Sequence, residues 1–394
     1  NAIRDFTLFF FTSERNLITI HISYDSFTNL LQYGLTESVK ADFIQICTSD
    51  SELRPGRVAR VDGISTYVHA DTGDFRAGST FAQITSDDES EIEPIEPTVG
   101  DWVLVRPGVN KDSDEIEFVL PRTSLLIRNR SVRGRSKGKS DEQILAANVN
   151  TVFIMQAANN FNVSRLEREI ALVWSSGAVP VIVISKIDLI QDVDSLRFLR
   201  RLELAAPGVG VFAVSGLTGI GIGPLHRFIT AGETVALVGA SGVGKSTLAN
   251  QLIGEKVMDT GGIRKSDIRG RHTTVTRQLL PLSGGGVLID TPGIRTVGLV
   301  EGREDALAKT FSEIEEYKGR CKFRDCGHED EPGCAITEAI ASGRLLGSRF
   351  ESYKRLLQEL EDQQVNNDRD TKTDKSMQNR IKAIMVRQQF RNDK

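Results

Sequence analysis

The chain has 394 residues, too many for one ordinary domain and about right for two or three. An apolar share of 39% with 35 glycines matches a folded globular chain and excludes a disordered one. No run approaches the roughly 18 apolar residues of a membrane span, four cysteines exclude a disulfide scaffold, and a net charge of −4 excludes a uniformly basic chain.

Residues 1–54 carry the weakest signals. The chain opens on Asn1, so a start further upstream is expected, and an organellar leader removed there stays open. Leu8–Phe11 reads as a strand or packing segment, because it is short and lacks a cleavage site. Cys47 reads as an ordinary buried thiol.

Residues 55–146 change character. Short strand candidates fall at Val58–Gly63, Ser65–His69, Asp101–Val105, Glu115–Leu120 and Leu125–Ile127, with Gly, Pro and Asp between them. That pattern predicts a small β-barrel and not a βαβ unit. Two charge blocks fall in its loops. Six acids and no base lie between Asp87 and Glu96, and seven bases and no acid between Arg122 and Lys139. Within the second block, Arg128, Arg130, Arg133, Arg135, Lys137 and Lys139 are the expected RNA contacts. A local basic block attracts phosphate even in an acidic chain, and nothing acidic neutralises this one nearby.

Residues 147–300 alternate strand and helix. Strands are predicted at Thr151–Met155, Val179–Ile184, Val209–Val214 and Thr234–Val238. Helices are predicted at Ser164–Ser175, Leu196–Leu204, Pro224–Phe228 and Lys245–Ile253. The alternation predicts an α/β domain with a mainly parallel sheet. Residues 301–365 carry helix candidates at Asp305–Glu315, Ala335–Ser342 and Arg349–Asp362. Residues 366–394 form a tail whose last twenty positions hold six bases and one acid; a solvated tail and an RNA contact weigh equally there.

Gly239-Ala240-Ser241-Gly242-Val243-Gly244-Lys245-Ser246 fits the phosphate-loop pattern G-x-x-x-x-G-K-[ST] in full, between a predicted strand and a predicted helix. Its glycines let successive N–H groups turn onto phosphates, and the helix adds its positive end. Lys245 would pair with the β- and γ-phosphates; Ser246, followed by Thr247, would ligate Mg²⁺. Two further clusters point to guanine. Asp290-Thr291-Pro292-Gly293 ends an apolar strand, where Asp290 can serve Mg²⁺ and the Gly293 N–H can sense a γ-phosphate. Ser185-Lys186-Ile187-Asp188 ends another and reads as a form of N-K-x-D. The Asp188 carboxylate can accept two hydrogen bonds from guanine, Lys186 can pack along the base, and Ser215 belongs to a further base loop. Ser185 stands where Asn is usual; it is shorter, so lower nucleotide affinity is an open expectation.

The order of these motifs is permuted. The base motif precedes the phosphate loop, and Gly270-Arg271-His272-Thr273-Thr274 and Asp290–Gly293 follow it. Neighbouring termini allow the same site to form from the permuted order. Further on, Cys321, Cys326, His328 and Cys334 lie within fourteen residues. Three thiolates and an imidazole suit one tetrahedral, structural Zn²⁺.

Together the barrel, the permuted motifs with G-R-H-T-T, and the C-x4-C-x-H-x5-C cluster resemble the ribosome small-subunit-dependent GTPase A family (RsgA, also called YjeQ or EngC). The resemblance covers roughly Gly56 to Asp362. It implies an OB-fold that binds ribosomal RNA, a permuted GTPase and a helical zinc domain that grips the small subunit. It also implies hydrolysis of GTP to GDP, stimulated by the subunit late in its maturation. His272 then takes the water-orienting role, because Ile294 after D-x-P-G is apolar; Thr273 or Thr274 completes the Mg²⁺ site. A cytoplasmic monomer without a membrane partner is expected. An assembly factor using GTP only as a switch ligand is the runner-up, and a small-molecule kinase the third reading.

Overall fold

The computed structural model describes the backbone of residues 6–11 and 17–22. It further describes residues 27–46, 53–62, 65–70, 73–78, 82–83, 95–108, 114–129, 142–190, 202, 206–254, 277–290, 305–329 and 331–361.

The N-terminal region is structured. Strands β1 (Phe6–Phe11) and β2 (Leu17–Ile22) form an antiparallel hairpin. Helices α1 (Thr28–Leu31) and α2 (Glu37–Ile46) follow. Phe27, Leu30, Leu35 and Phe43 pack with Trp102, Leu104 and Leu120, so this region shares a core with the strands that follow.

Those strands are β3 (Arg54–Asp62), β4 (Ser65–Ala70), β5 (Gly73–Gly78), β6 (Ala82–Gln83), β7 (Trp102–Arg106) and β8 (Asp114–Val119). β3, β4 and β5 form an antiparallel meander. β5 pairs with β8 in parallel, β8 with β7 antiparallel, and β7 closes back onto β3. A closed five-stranded circuit with one parallel pair is the OB topology. Alternate side chains, Val58, Val68, Val103, Val105, Ile116 and Val119, fill its interior. Strand β5 was not expected: Asp74 to Ala77 alternate polar and apolar, but the run is only four residues long and the glycines at both its ends read as turn residues.

A second hairpin, β9 (Leu125–Asn129) and β10 (Glu142–Ala147), pairs Asn129 with Glu142. The basic block Arg130–Lys139 lies between these ends, outside the described residues. One base of the block is not available for phosphate. Arg122 donates from Nε and Nη2 to the buried Asp101 carboxylate at 2.8 and 2.7 Å, correcting the expectation that nothing acidic neutralises the block.

The α/β region holds β11 (Thr151–Ala157), α3 (Val163–Ser176), β12 (Val179–Ser185), β13 (Gly210–Ala213), β14 (Thr234–Gly239), α4 (Lys245–Ile253), β15 (Gln278–Pro281) and β16 (Val287–Asp290). The strand order is β13-β12-β11-β14-β16-β15, parallel except for β15. Ile154, Ile182 and Val238 face one core, while Phe153, Val183 and Leu237 face another. Burial on both faces explains the unbroken apolar runs. Each such fully buried side chain contributes about 1.5–3 kcal/mol. Asn162 caps α3 by accepting from the Arg165 N–H, and Gly177 ends it at φ 90°. Most of the helix expected at Leu196–Leu204 lies outside the described residues.

The C-terminal region packs on α3 through α5 (Asp305–Thr310), α6 (Ser312–Lys318), α7 (Ala335–Ala341) and α8 (residues 347–361). One helix was expected over Asp305–Glu315. Phe311 divides it at φ −122° and ψ 45°, and its ring is fully buried.

Two buried arginines join the regions. Arg57 of β3 is 1% exposed. It donates to the carbonyls of Tyr33, Gly100 and Asn148 and, at 2.9 Å, to Thr234 Oγ1 at the start of β14. Its guanidinium also lies 4.5 Å from the Trp102 ring centre. Burial pulls it down to about 9, which leaves it charged at neutral pH. Arg349 of α8 binds Glu313 and the Thr310 carbonyl on one side and Glu167 of α3 on the other. Arg57→Ala removes a donor from four acceptors, of which only the Gly100 carbonyl keeps a second one, from Asn148 Nδ2, and is expected to lower the melting temperature by about 5–10 °C. An unchanged circular-dichroism melt would show the guanidinium to be dispensable.

Candidate functional site

Strands β11, β12, β13, β14 and β16 run in parallel, so their C-terminal ends share one edge of the sheet. The chain moves outward from β11 through β12 to β13, then returns to β14 on the other side of β11. The crevice between such strand ends is where α/β sheets bind ligands.

The phosphate loop follows β14 at this edge. Gly239 sits at φ +152°, and a Cβ there would lie 2.4 Å from the Met155 carbonyl oxygen, so only glycine fits. Gly244, at φ 103°, caps α4. Lys245 Nζ donates to the carbonyls of Gly239 and Ala240 at 2.8 and 2.9 Å. That pair of bonds folds the ammonium back across the loop, where an anion entering at the helix end would meet it.

The base side follows β12. The buried Ser185 places its hydroxyl 2.6 Å from the Val243 carbonyl of the phosphate loop and 3.3 Å from the Gln156 carbonyl of β11. Serine therefore reaches across the loops despite its length. Lys186 adopts a left-handed conformation at φ 60°, and a 3₁₀ turn, Ile187–Leu189, presents Asp188 to solvent. Buried Ser215 donates from Oγ to Asp188 Oδ1 at 2.6 Å and accepts from the Thr218 N–H at 3.2 Å. Gln251 of α4 donates to the Gly216 carbonyl, tying this loop to the phosphate-loop helix. The result is a cleft of about 270 Å³ whose lining includes Lys186, Asp188, Leu189, Leu217, Gly244 and Thr247. A carboxylate at one end and an ammonium-bearing loop at the other can hold a polar base and an anionic tail together.

A second site lies between α6 and α7. The ligand atoms of Cys321, Cys326, His328 and Cys334 lie within 4.8 Å of one another. His328 Nδ1 is 3.5 Å from Cys321 Sγ and 3.7 Å from Cys334 Sγ. Tetrahedral bonds of about 2.0–2.3 Å place N and S ligands roughly 3.6 Å apart, so the set fits one divalent cation. His328 sits at φ 62°, and Glu331 fixes this turn by accepting from the Gly327 and Glu329 N–H groups, each at 2.8 Å. Cys334 resists ionisation through burial, but bonds with Thr337, then His328, outweigh it and take the thiol down to about 6. Desolvation and the two neighbouring sulfurs push Cys326 up to about 11. A cation bound between the three sulfurs would favour their thiolate forms.

Comparison with known proteins decides the family. A model of the RsgA GTPase matches residues 119–300. The small ribosomal subunit biogenesis GTPase RsgA of Streptomyces coelicolor is 44% identical over 340 residues, 86% of this chain and 88% of that protein. The chain belongs to the RsgA GTPase family. By that membership it is a GTP hydrolase. The RsgA 2 protein of Lactiplantibacillus plantarum is 40% identical, covering 86% of this chain and 91% of that one. Among solved structures, YjeQ from Thermotoga maritima matches with a TM-score of 0.55 and 28% identity, over 78% of this chain and 98% of that one. YloQ, described as a circularly permuted GTPase, matches in fold with a TM-score of 0.52 at 24% identity, over 79% of this chain and 96% of that one.

Within this RsgA-family chain, the structure brings together Ser185, Lys186, Asp188, Ser215 and the loop Gly239–Thr247. Asp290 ends β16 in register with Gln278, at the same edge as the phosphate loop. Its side chain, with Gly293, His272, Thr273, Thr274, the Arg128 side chain and Arg130 to Lys139, lies outside the described residues, as does Cys47. Sequence reasoning missed Leu189 and Leu217, which flank the cleft while 58% and 79% exposed. The available signal was a leucine directly after each polar base-loop motif. Ser185→Ala leaves the Val243 carbonyl without its donor and is expected to weaken GDP binding about 10-fold, with Ser185→Thr near wild type. Titration with a fluorescent GDP analogue reads this; an alanine variant that binds like wild type removes the tie from the site.

Proposed function

We propose that this chain binds the small ribosomal subunit, hydrolyses GTP there late in subunit maturation, and turns over faster when bound. The observation that carries the reading is the cleft joining Asp188 to the phosphate loop, its two sides tied by Ser185 and Val243, 58 residues apart in sequence, in a chain whose relatives are named small-subunit biogenesis GTPases.

In this reading guanine stacks along the Lys186 stem, and the Asp188 carboxylate accepts from its N1–H and exocyclic amine. The bond from Ser215 aims that carboxylate, and Ser185 keeps the base loop against the phosphate loop. Lys245 and the N–H groups of Gly239 to Ser246 neutralise the β- and γ-phosphates. The Ser246 hydroxyl in the first turn of α4 and Asp290 at the end of adjacent β16 are the hard oxygen donors that suit Mg²⁺, with Thr273 or Thr274 joining them. Bound there, Mg²⁺ supplies further charge neutralisation. His272 orients the attacking water, the β–γ bridging bond breaks towards GDP, and Gly293 reads the γ-phosphate. Zn²⁺ is the ion proposed for Cys321, Cys326, His328 and Cys334, in a closed structural role. The OB barrel and the block Arg128, Arg130, Arg133, Arg135, Lys137 and Lys139 face ribosomal RNA. The protein works as a cytoplasmic monomer; among the described residues no helix is long and apolar enough to cross a membrane.

Turnover of GTP and ATP with and without purified small subunits tests the whole reading. Stimulation confined to GTP is expected; tight subunit binding without stimulation would favour the switch-ligand alternative. His272→Ala is expected to abolish stimulated turnover and leave GTP affinity intact, and undiminished stimulated turnover sinks that assignment. Elemental analysis of purified protein should find one zinc per chain. Cys326→Ser should lose it and melt at lower temperature, whereas a metal-free wild-type protein would reject the ion.

A further inference from the structure

The six residues Cys321–Cys326 form a loop whose two ends enter the metal cluster. At its centre Phe323 is 47% exposed. Among the described residues it is the only Phe, Tyr or Trp side chain that is exposed. Other rings of the same region behave differently: Phe311, Phe350 and Tyr353 pack into its core.

The loop is braced. Lys322 donates its N–H to the Gly333 carbonyl at 3.1 Å, and Gly333 holds φ +84° with its hydrogen against Lys322. Phe323 therefore projects from a fixed frame, so little ordering remains to be done when it binds.

Its neighbours are cationic. Residues 317–325 read Tyr-Lys-Gly-Arg-Cys-Lys-Phe-Arg-Asp, four bases and one exposed acid, Asp325, which no ion pair joins to the flanking bases among the described residues. Lys318 is engaged by Glu315 and Arg320 by Glu316. Lys322 and Arg324, on either side of the ring, have no carboxylate partner among the described residues, and both are exposed. Lys322 Nζ lies 5.4 Å from the Phe323 ring centre.

An apolar protein partner would need a wider apolar surface than one ring between two charges. A ring with flanking cations suits a ligand with a π-face and adjacent phosphates. We propose that Phe323, with Lys322 and Arg324, is a stacking site for an unpaired RNA base on the small subunit. The proposal rests on the small-subunit reading above and adds the ligand class and the residues to it.

The test uses the full chain and two probes, purified small subunits and a mixed-sequence single-stranded RNA dodecamer. Phe323→Ala is expected to weaken binding to both by roughly 5- to 150-fold, the range for one lost base stack. Phe323→Tyr and Phe323→Trp should bind within about threefold of wild type. Phe323→Leu keeps apolar bulk without an aromatic face and should bind as weakly as alanine. Replacing Lys322 and Arg324 together by Gln should reduce the salt-dependence slope by about 1.4, at about 0.7 per contact. Metal content and unstimulated GTP turnover should stay at wild-type values. Binding of Phe323→Leu at wild-type strength would mean apolar contact with a protein and overturn the proposal, as would full binding by Phe323→Ala. Wild-type chain that binds the dodecamer but not the subunit refutes the subunit reading and leaves the stacking assignment to be decided by the dodecamer series.

Discussion

The Ser185 hydroxyl lies 2.6 Å from the Val243 carbonyl and joins the end of β12 to the loop after β14. The cleft beside the phosphate loop depends on that adjacency. β12 and β14 both flank β11, so their C-terminal loops are neighbours whatever their order along the chain. A permuted chain can therefore build the cleft, because parallel strand ends and not sequence order bring its halves together. The Met155 carbonyl of β11 enforces the same packing from below, since it leaves no room for a side chain at Gly239.

The additions at either side are fixed by buried charge. Arg57 distributes its donors over carbonyls and one hydroxyl, whereas Arg349 faces the carboxylates of Glu167 and Glu313. Neither region can shift without leaving a guanidinium or its acceptors unpaired, which costs several kcal/mol. Each arginine grips an element that feeds the cleft. Thr234 opens β14, which ends in Gly239; Glu167 lies on α3, which leads into β12 and Ser185. Contiguity of this kind is not coupling in itself. It does mean that the barrel and the region with the Cys/His cluster are seated on the two elements that carry the phosphate and base loops.

Much of this was legible in the residues, and the misses have physical causes. Fully apolar parallel strands and a glycine-ended helix announce themselves, so α4 and β14 fall where the pattern puts them. The Cys/His cluster is legible because its four residues lie within fourteen positions of sequence. β5 was hidden because its alternation spans only Asp74 to Ala77 and glycines at both ends read as turns. The break at Phe311 was hidden because tertiary burial of its ring decides it. Arg122 read as one more free base because its partner, Asp101, is 21 residues away. The reach of Ser185 could not be read either, since it depends on how closely two loops approach.

Charge shows most clearly what structure adds to composition. A net charge of −4 disfavours indiscriminate binding to nucleic acid. Basic runs in the sequence suggest wide exceptions, but pairing narrows them. Asp101 removes Arg122 from one run, and Glu315 and Glu316 engage Lys318 and Arg320 in another. Among the described residues, Lys322 and Arg324 around an exposed ring keep no carboxylate partner. In the proposed role, fixed contacts of this kind would give the chain its hold on RNA phosphate. Repulsion elsewhere on an acidic surface then penalises any RNA that cannot meet those contacts together, so the acidic balance works for specificity and not against binding.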